Sequence, residues 1–244
     1  MKLYGLIGKT LKHSFSQTYF TAKFEREGIT DCGYRNFELS SIEELPRMLA
    51  EHPELRGFNI TIPYKEDVLP YLHARNEVVA ATGACNCVRI IEGKLHGFNT
   101  DVIGFGQSLD RDRKAAHNRA LVLGTGGAAK AVWYALEQRS IPFTVVSRKK
   151  QADTLTYDDL DAGTIARHPL IINTTPLGMF PDTDSFPPLP YEALTAGHYL
   201  YDLVYNPEQT VFLSRGAERG AVTRNGYEML LLQAEESWRI WNLP

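Results

Sequence analysis

The chain has 244 residues, 43% of them hydrophobic and 23% charged, with 26 Lys and Arg against 29 Asp and Glu for a net charge of -3. That composition excludes a disordered, collagen-like or coiled-coil chain, and the charge balance gives no electrostatic reason to bind nucleic acid or an anionic membrane. No apolar run approaches the roughly 20 residues of a membrane helix. The first apolar stretch is cut short at Lys9, too soon for the core of an export signal, and Cys32, Cys85 and Cys87 are too few for a disulfide framework, so a cytoplasmic protein is expected.

From the N-terminus, residues 3–8 read as a short apolar strand ending in Gly8, and Ser16 opens a helix with Phe20 and Phe24 at i, i+4 spacing. A second strand follows at 34–39, then Ser41 as the cap of a helix containing Leu45 and Leu49. Residues 57–62 (GFNITI) alternate and are β-branched, which predicts a strand, and Pro63 suits the first turn of a helix over 64–73. Residues 85–91 and Lys94–Phe98 read as strands joined at Glu92-Gly93, a hairpin turn. Cys85-x-Cys87 lacks metal-ligand spacing and is explained by alternation along a strand.

Beyond Asp101 the character changes. A charged stretch at 110–118 leads into a strand at Ala120–Leu123, the Gly-rich GTGGA, a helix to Arg139 and a strand at 143–147, which together make a βαβ unit. Further strands are expected at 170–174 and Tyr199–Asp202, and a final helix at Tyr227–Trp241 carries a wide apolar stripe. The expected organisation is α/β with a first domain at 1–101, a second at 102–225, and the C-terminal helix, 226–244, packing back on the first. Gly104–Gly106 and Asn225-Gly226 are candidate hinge segments.

In LVLGTGGAA at 121–129, Gly124 allows the tight turn off the strand and Gly126 leaves room for a pyrophosphate. Gly127 or Ala128 lets the helix approach the sheet, with Ala129 in place of the usual third glycine. The helix N-terminus would present N–H groups to phosphate, while a plain Gly-rich turn is the blander alternative. An NAD site would set a carboxylate beyond the second strand. Here stand Ser147, Arg148, Lys149 and Lys150, which favour the 2′-phosphate of NADP over a basic surface turn. At Lys65 a helix N-terminus would favour the neutral amine and suit acid/base work, although a solvated surface lysine is the plainer reading of that segment. Asp101 can equally cap a helix. The seven histidines form no metal-binding pair and read as surface or core.

Taken together, the segments resemble the shikimate dehydrogenase family along nearly the whole chain. SFS at 14–16 is similar to its paired serines for the substrate carboxylate, NITIPYK at 59–65 to its N-x-T-x-P-x-K, GACN at 83–86 to its GA-x-N and GFNTD at 97–101 to its G-x-N-T-D. GTGGA at 124–128 resembles the cofactor loop, NTTPLGM at 173–179 the run beneath the nicotinamide, YDLVYNPEQT at 201–210 the segment with the family's tyrosine, and NGYEMLLLQ at 225–233 the last signature. Three departures stand out. Ser147-Arg148-Lys149 replaces Asn-Arg-Thr, Cys87 and Pro176 stand where Thr and Ser are common, and the stretch from Arg148 to Asn173 is short, which implies loss of a helix or strand and an altered sheet edge.

The resemblance implies a substrate domain and a Rossmann-like NADP domain on either side of an active-site cleft. It also implies NADPH-dependent, reversible reduction of 3-dehydroshikimate, with no metal. Lys65 and Asp101 would be catalytic, and Ser14, Ser16, Thr61, Asn86, Tyr205 and Gln233 would bind substrate. Gly124, Gly126, Gly127, Ala128, Ser147, Arg148, Thr174, Thr175, Leu203 and Gly226 would bind NADP(H). A small-molecule substrate is the expected partner, in a monomer or homodimer. The alternatives are a dehydrogenase of quinate or another cyclic hydroxy acid, and a catalytically silent NADP-binding regulator. The latter would need neither Lys65 nor Asp101.

Overall fold

The computed structural model describes residues 1–11 and 14–243. In chain order the elements are β1 (Lys2–Gly8), α1 (Phe15–Glu27), β2 (Cys32–Glu38), α2 (Leu45–Glu51), β3 (Leu55–Ile60), β4 (Ala74–Arg75), α3 (Glu77–Thr82), β5 (Cys87–Ile91) and β6 (Lys94–Phe98). There follow α4 (Asp101–Asp112), β7 (Ala120–Leu123), α5 (Gly127–Glu137), β8 (Phe143–Val146), β9 (Thr154–Leu155), α6 (Ala162–Arg167), β10 (Leu170–Asn173), β11 (Tyr199–Asp202), α7 (Val211–Glu218), β12 (Val222–Arg224) and α8 (Tyr227–Trp241). The chain divides into one unit of Met1–Thr100 with Ala234–Pro244 and another of Asp101–Gln233. Only the part of α8 from Ala234 onward therefore belongs with the first unit; its opening turns belong with the second.

The sheet of the first unit runs β2-β1-β3-β5-β6-β4. β1 lies parallel to β2 and β3, whereas β5 is antiparallel to both β3 and β6. Glu92 and Gly93 close the β5–β6 hairpin with φ of 50° and 74°, the positive values such a two-residue turn demands. β1 buries both faces. Leu3 and Ile7 join Phe37, Leu45, Leu55 and Phe58 in one core, and Tyr4 and Leu6 join Phe20, Phe24, Tyr34 and Trp241 in the other. Against α1 the end of α8 is also tied by charge. The buried Lys23 ammonium reaches Glu27 and Glu235, each at 2.9 Å, and Tyr19 donates its hydroxyl proton to Glu235. Two carboxylates and the tyrosine hydroxyl thus meet in one cluster around a cation withdrawn from water.

Several expectations for this unit are corrected. α1 begins at Phe15 with Ser14 as its cap, so Ser16 lies inside the first turn. Ser41 makes no side-chain cap and precedes a 3-10 turn, with α2 starting only at Leu45. No α-helix spans 64–73. The segment is a run of turns ending in a 3-10 turn at Leu69–Tyr71. Pro70 lacks the N–H that an α-helix would direct to the Glu66 carbonyl, which instead accepts from Leu69 at 3.1 Å. In addition the Lys65 carbonyl accepts from the Cys85 N–H at 2.8 Å, a bond outside any helix. The dipole argument for Lys65 falls with that helix. Strand β5 starts only at Cys87, so alternation does not relate the two thiols. Cys85 packs with the first core and Cys87 with the second.

The second unit carries a six-stranded sheet, β12-β11-β10-β7-β8-β9, with every pairing parallel. Renumbered from β7, this is the 3-2-1-4-5-6 order of dinucleotide-binding folds, with its switch point between β7 and β10. The shortened segment shows its effect at the edge. Residues 147–153 join β8 to β9 without a helix, and β9 is a two-residue strand. The strand survives, and the crossover helix is what has gone. α4, the helix that Asp101 was expected to cap, begins at Asp101 itself and contains Gly104 and Gly106, the first of the two candidate hinge segments. A Cβ on Gly104 would lie 2.6 Å from the Met229 carbonyl, and one on Gly106 would strike the Arg139 guanidinium. These glycines allow close packing of helices in a regular helix rather than a bend.

Candidate active site

In the first unit the polar residues gather where β1 and β3 end. A Cβ on Gly8 would lie 2.6 Å from Cγ2 of Thr61, so glycine is what lets Thr61 close over β1, where its N–H donates to Ile7 at 2.9 Å. Tyr64 and Val68 then plug the turn segment into the core, and the Tyr64 hydroxyl donates to the Leu39 carbonyl at 2.6 Å. Between these anchors Lys65 is half-buried, with its carbonyl held by Cys85. The Cys85 thiol is pushed up to about 12, chiefly by burial, which keeps it protonated.

Asn86 is tied to the same edge. Its carbonyl accepts from Ile60 at 2.9 Å, its Oδ1 accepts the Thr100 N–H at 2.6 Å, and its Nδ2 donates to Thr100 Oγ1 at 3.0 Å. Both ends of the amide thereby fix the backbone immediately before Asp101. A buried network absent from the expected site supports this corner. Asn59 donates to Ser237 Oγ at 2.8 Å and to the Asn86 carbonyl at 3.2 Å, and accepts from the Tyr34 hydroxyl at 3.1 Å. Burial raises the Tyr34 hydroxyl well above its ordinary value, and a hydrogen bond with Ser16 partly offsets this. Ser14 caps α1 by accepting the Gln17 N–H at 3.4 Å. Ser16 and Asn86 are therefore linked through Tyr34 and Asn59, Thr61 is held at the end of β1, the Lys65 backbone is tied to Cys85, and Ser14 is held by its cap bond.

The remaining expected site residues belong to the second unit: Asp101 opens α4, Gln233 lies on α8, and the others follow the carboxyl ends of its strands or open α5. Gly124 follows β7 with φ of 111°, and a Cβ there would lie 2.6 Å from Thr174 Oγ1, which itself donates to the Leu123 carbonyl at 2.6 Å. Gly126 is exposed, with no atom within 4 Å of the place a Cβ would take, and α5 opens behind it with no side-chain cap. Such a helix start, free of carboxylates in its first turn, has the donor chemistry for a pyrophosphate. The residue that packs tightly is fully buried Ala129, while Gly127 and Ala128 are half-buried. The third fingerprint position is thus filled by Ala129, as the spacing of the motif indicates.

After β8, Ser147 is buried and accepts the Lys149 N–H at 3.4 Å, whereas Arg148 is exposed. Lys150 pairs with Asp159 at 2.9 Å, which directs one of the expected positive charges elsewhere. A hydroxyl, an exposed guanidinium and a helix N-terminus suit the charges of NADP(H). Thr175 and Leu203 follow β10 and β11. A Cβ on Gly226 would overlap the Leu203 carbonyl oxygen, so glycine permits that backbone crossing. Tyr205 is half-buried, and burial raises its hydroxyl. Gln233 is buried on α8 and donates to the Leu230 carbonyl at 3.0 Å. The described residues contain no group of three or more His, Cys, Asp and Glu able to hold a metal ion, and no helix long and apolar enough to cross a membrane.

Comparison with known proteins agrees with this geometry. A family profile described as the shikimate dehydrogenase substrate binding domain matches residues 6–88. A shikimate dehydrogenase (NADP(+)) of Caldicellulosiruptor saccharolyticus is 38% identical over 258 aligned positions, covering 98% of this chain and 91% of the relative. Among solved structures, the chorismate mutase/shikimate 5-dehydrogenase fusion protein of Clostridium acetobutylicum superposes with a TM-score of 0.87 at 34% identity, over 99% of this chain and 91% of that one. Shikimate 5-dehydrogenase of Thermus thermophilus, solved with NADP(H) and shikimate, gives 0.88 at 30% identity, over 99% and 94%. Identity sustained across both units, on top of a dinucleotide-type sheet and a polar corner built around NITIPYK, leaves one conclusion: this chain belongs to the shikimate dehydrogenase family.

Proposed function

We infer that the chain catalyses the reversible reduction of 3-dehydroshikimate to shikimate with NADPH. The observation that carries this reading is near full-length similarity to relatives named as the NADP(+)-dependent enzyme, in a chain whose second unit has the 3-2-1-4-5-6 sheet. Residues 1–101 are assigned to substrate and 102–225 to cofactor. Gly124, Gly126, Gly127 and Ala128 are assigned to the pyrophosphate, Ser147 and Arg148 to the 2′-phosphate, and Thr174, Thr175, Leu203 and Gly226 to the nicotinamide side. When bound, NADPH supplies a hydride.

The chain's own residues account for the rest. Ser14 and Ser16 offer neutral hydroxyl donors to the substrate carboxylate. Thr61, Asn86, Tyr205 and Gln233 offer the mixed donors and acceptors that ring hydroxyls need, because a buried hydroxyl left unpaired costs on the order of 1–3 kcal/mol. Lys65 and Asp101 are the proposed catalytic residues. The Lys65 ammonium faces negative charge developing on the ketone oxygen and gives that oxygen its proton, and in the oxidative direction the neutral Lys65 amine takes the proton back. Asp101 follows Thr100, whose N–H Asn86 holds in place.

Incubating the protein with shikimate and NADP⁺ while following nicotinamide absorbance tests the reading directly. Growth of the reduced-cofactor band is expected, and a folded protein that yields none overturns it. Arg148 is exposed, so Arg148→Asp should leave the fold intact. It should lower the preference for NADPH over NADH by about tenfold or more, the worth of a charge-assisted bond to phosphate. Unchanged discrimination would place the 2′-phosphate elsewhere.

A further inference from the structure

The ends of β10 and β11 carry two fully buried polar side chains that none of the assigned roles uses. Asp202 and Asn173 are each 0% exposed. The hydrogen bonds found at the Asp202 carboxylate come from neutral donors: Thr210 Oγ1 at 2.6 Å, Asn173 Nδ2 at 2.9 Å and the Val204 N–H at 3.0 Å. An ionised carboxylate can only accept, so the Asn173 amide must turn its NH₂ end toward Asp202. That leaves Asn173 Oδ1 aimed at Thr175, where it takes the backbone N–H at 3.0 Å and the hydroxyl at 2.6 Å. The Asn173 carbonyl in turn accepts from Leu203 at 2.9 Å.

We propose that Asp202 is a positioning residue for the cofactor: by fixing which way the Asn173 amide faces, it sets the orientation of Thr175 and holds that loop beside Leu203. This rests on the assignment of Thr175 and Leu203 to NADP(H). The carboxylate sits there at a cost. Burial outweighs its three donors and pushes Asp202 up to about 6. Tyr191 and Tyr201 are the titratable groups that feel its charge. An amide at 202 keeps the size and removes the buried charge. Its oxygen, kept by the Val204 N–H at the position that also takes Asn173 Nδ2, is only a neutral acceptor, so the Asn173 amide is held less firmly against Thr175.

The two consequences have opposite signs, which a purely structural role would not produce. Titration calorimetry with NADP⁺ and with shikimate, together with thermal melts of the ligand-free protein at pH 8, reads both. For Asp202→Asn the NADP⁺ Kd should rise by about tenfold, the worth of a bond to a charged group. The shikimate Kd should stay within about twofold, and the melting temperature should hold or rise. An NADP⁺ Kd within twofold of wild type overturns the proposal, as does a lowered melting temperature with both ligands weakened alike. Thr175→Val keeps Asp202 and removes only the hydroxyl, so it serves if Asp202→Asn fails to fold. It should weaken NADP⁺ by about fivefold, and unchanged binding again overturns the proposal. Wild-type protein that takes up no NADP⁺ sinks the functional reading as well; normal wild-type uptake with an indifferent Asp202→Asn sinks this inference alone.

Discussion

Replacing Lys65 by Ala is expected to lower turnover with shikimate and NADP⁺ by about 10²–10⁴-fold, the usual contribution of a positioned acid/base group. The KM for shikimate should move far less, because the hydroxyl and amide side chains assigned to binding remain. The fold gives this test a clean background. What holds the 62–68 turns is the burial of Tyr64 and Val68, the Tyr64 bond to Leu39, and the Lys65 carbonyl bond from Cys85. These anchors lie outside the lysine side chain, and a thermal melt of the variant run beside the kinetics separates lost turnover from lost fold. Steady-state rates in both directions are the measurement, since one proton must be given in reduction and removed in oxidation. Near-normal turnover would remove Lys65 from proton transfer.

What was legible in the sequence and what was not divide along physical lines. The β7–α5–β8 unit could be read to within a residue or two because an apolar run, a glycine turn and a helical stripe are all local signals. The hairpin at Glu92-Gly93 was readable for the same reason. The turns around Lys65 were not, because Pro63 looks like a helix start while the bond that diverts the backbone comes from Cys85. α4 was signalled by Asp101, but its extent was obscured by Gly104 and Gly106, which read as a hinge until the groups packed against them are known. β4 and β9 have two residues each, too few for any period to show.

The candidate site follows the same rule. Residues meant to touch ligands stand in short linear motifs, whereas their supports do not. Asn59 meets Ser237 across 178 positions, and Asn173 meets Asp202 across 29. No window of sequence contains both partners of either bond. Asn59 opens NITIPYK and Asp202 lies in YDLVYNP, so each motif contained its supporting residue without indicating which way the side chain would turn.

Trp241→Ala should be the most damaging single change to stability in the first unit. The indole is 5% exposed, stacks on Tyr4 with centroids 4.8 Å apart, and lies 5.4 Å from the Phe20 ring. Its Nε1 donates to the Val88 carbonyl at 2.9 Å, and a Cβ on Gly57 would collide with the ring, so the sheet is shaped to receive it. Truncation leaves a cavity among aromatic side chains and removes the donor to that carbonyl, a loss of about 3–5 kcal/mol. In a chain of this size that corresponds to roughly 10 °C in melting temperature. Trp241→Phe retains a ring against Tyr4 and gives up the N–H, so it should recover more than half of the loss. Thermal melts of both variants distinguish the packing contribution from the hydrogen bond. The same helix carries Ser237, which accepts from Asn59, so Trp241→Ala should also raise the shikimate KM while Trp241→Phe leaves it near wild type. A melting temperature within a degree or two of wild type for the alanine variant would mean that the last turn of α8 is not part of the core it completes here.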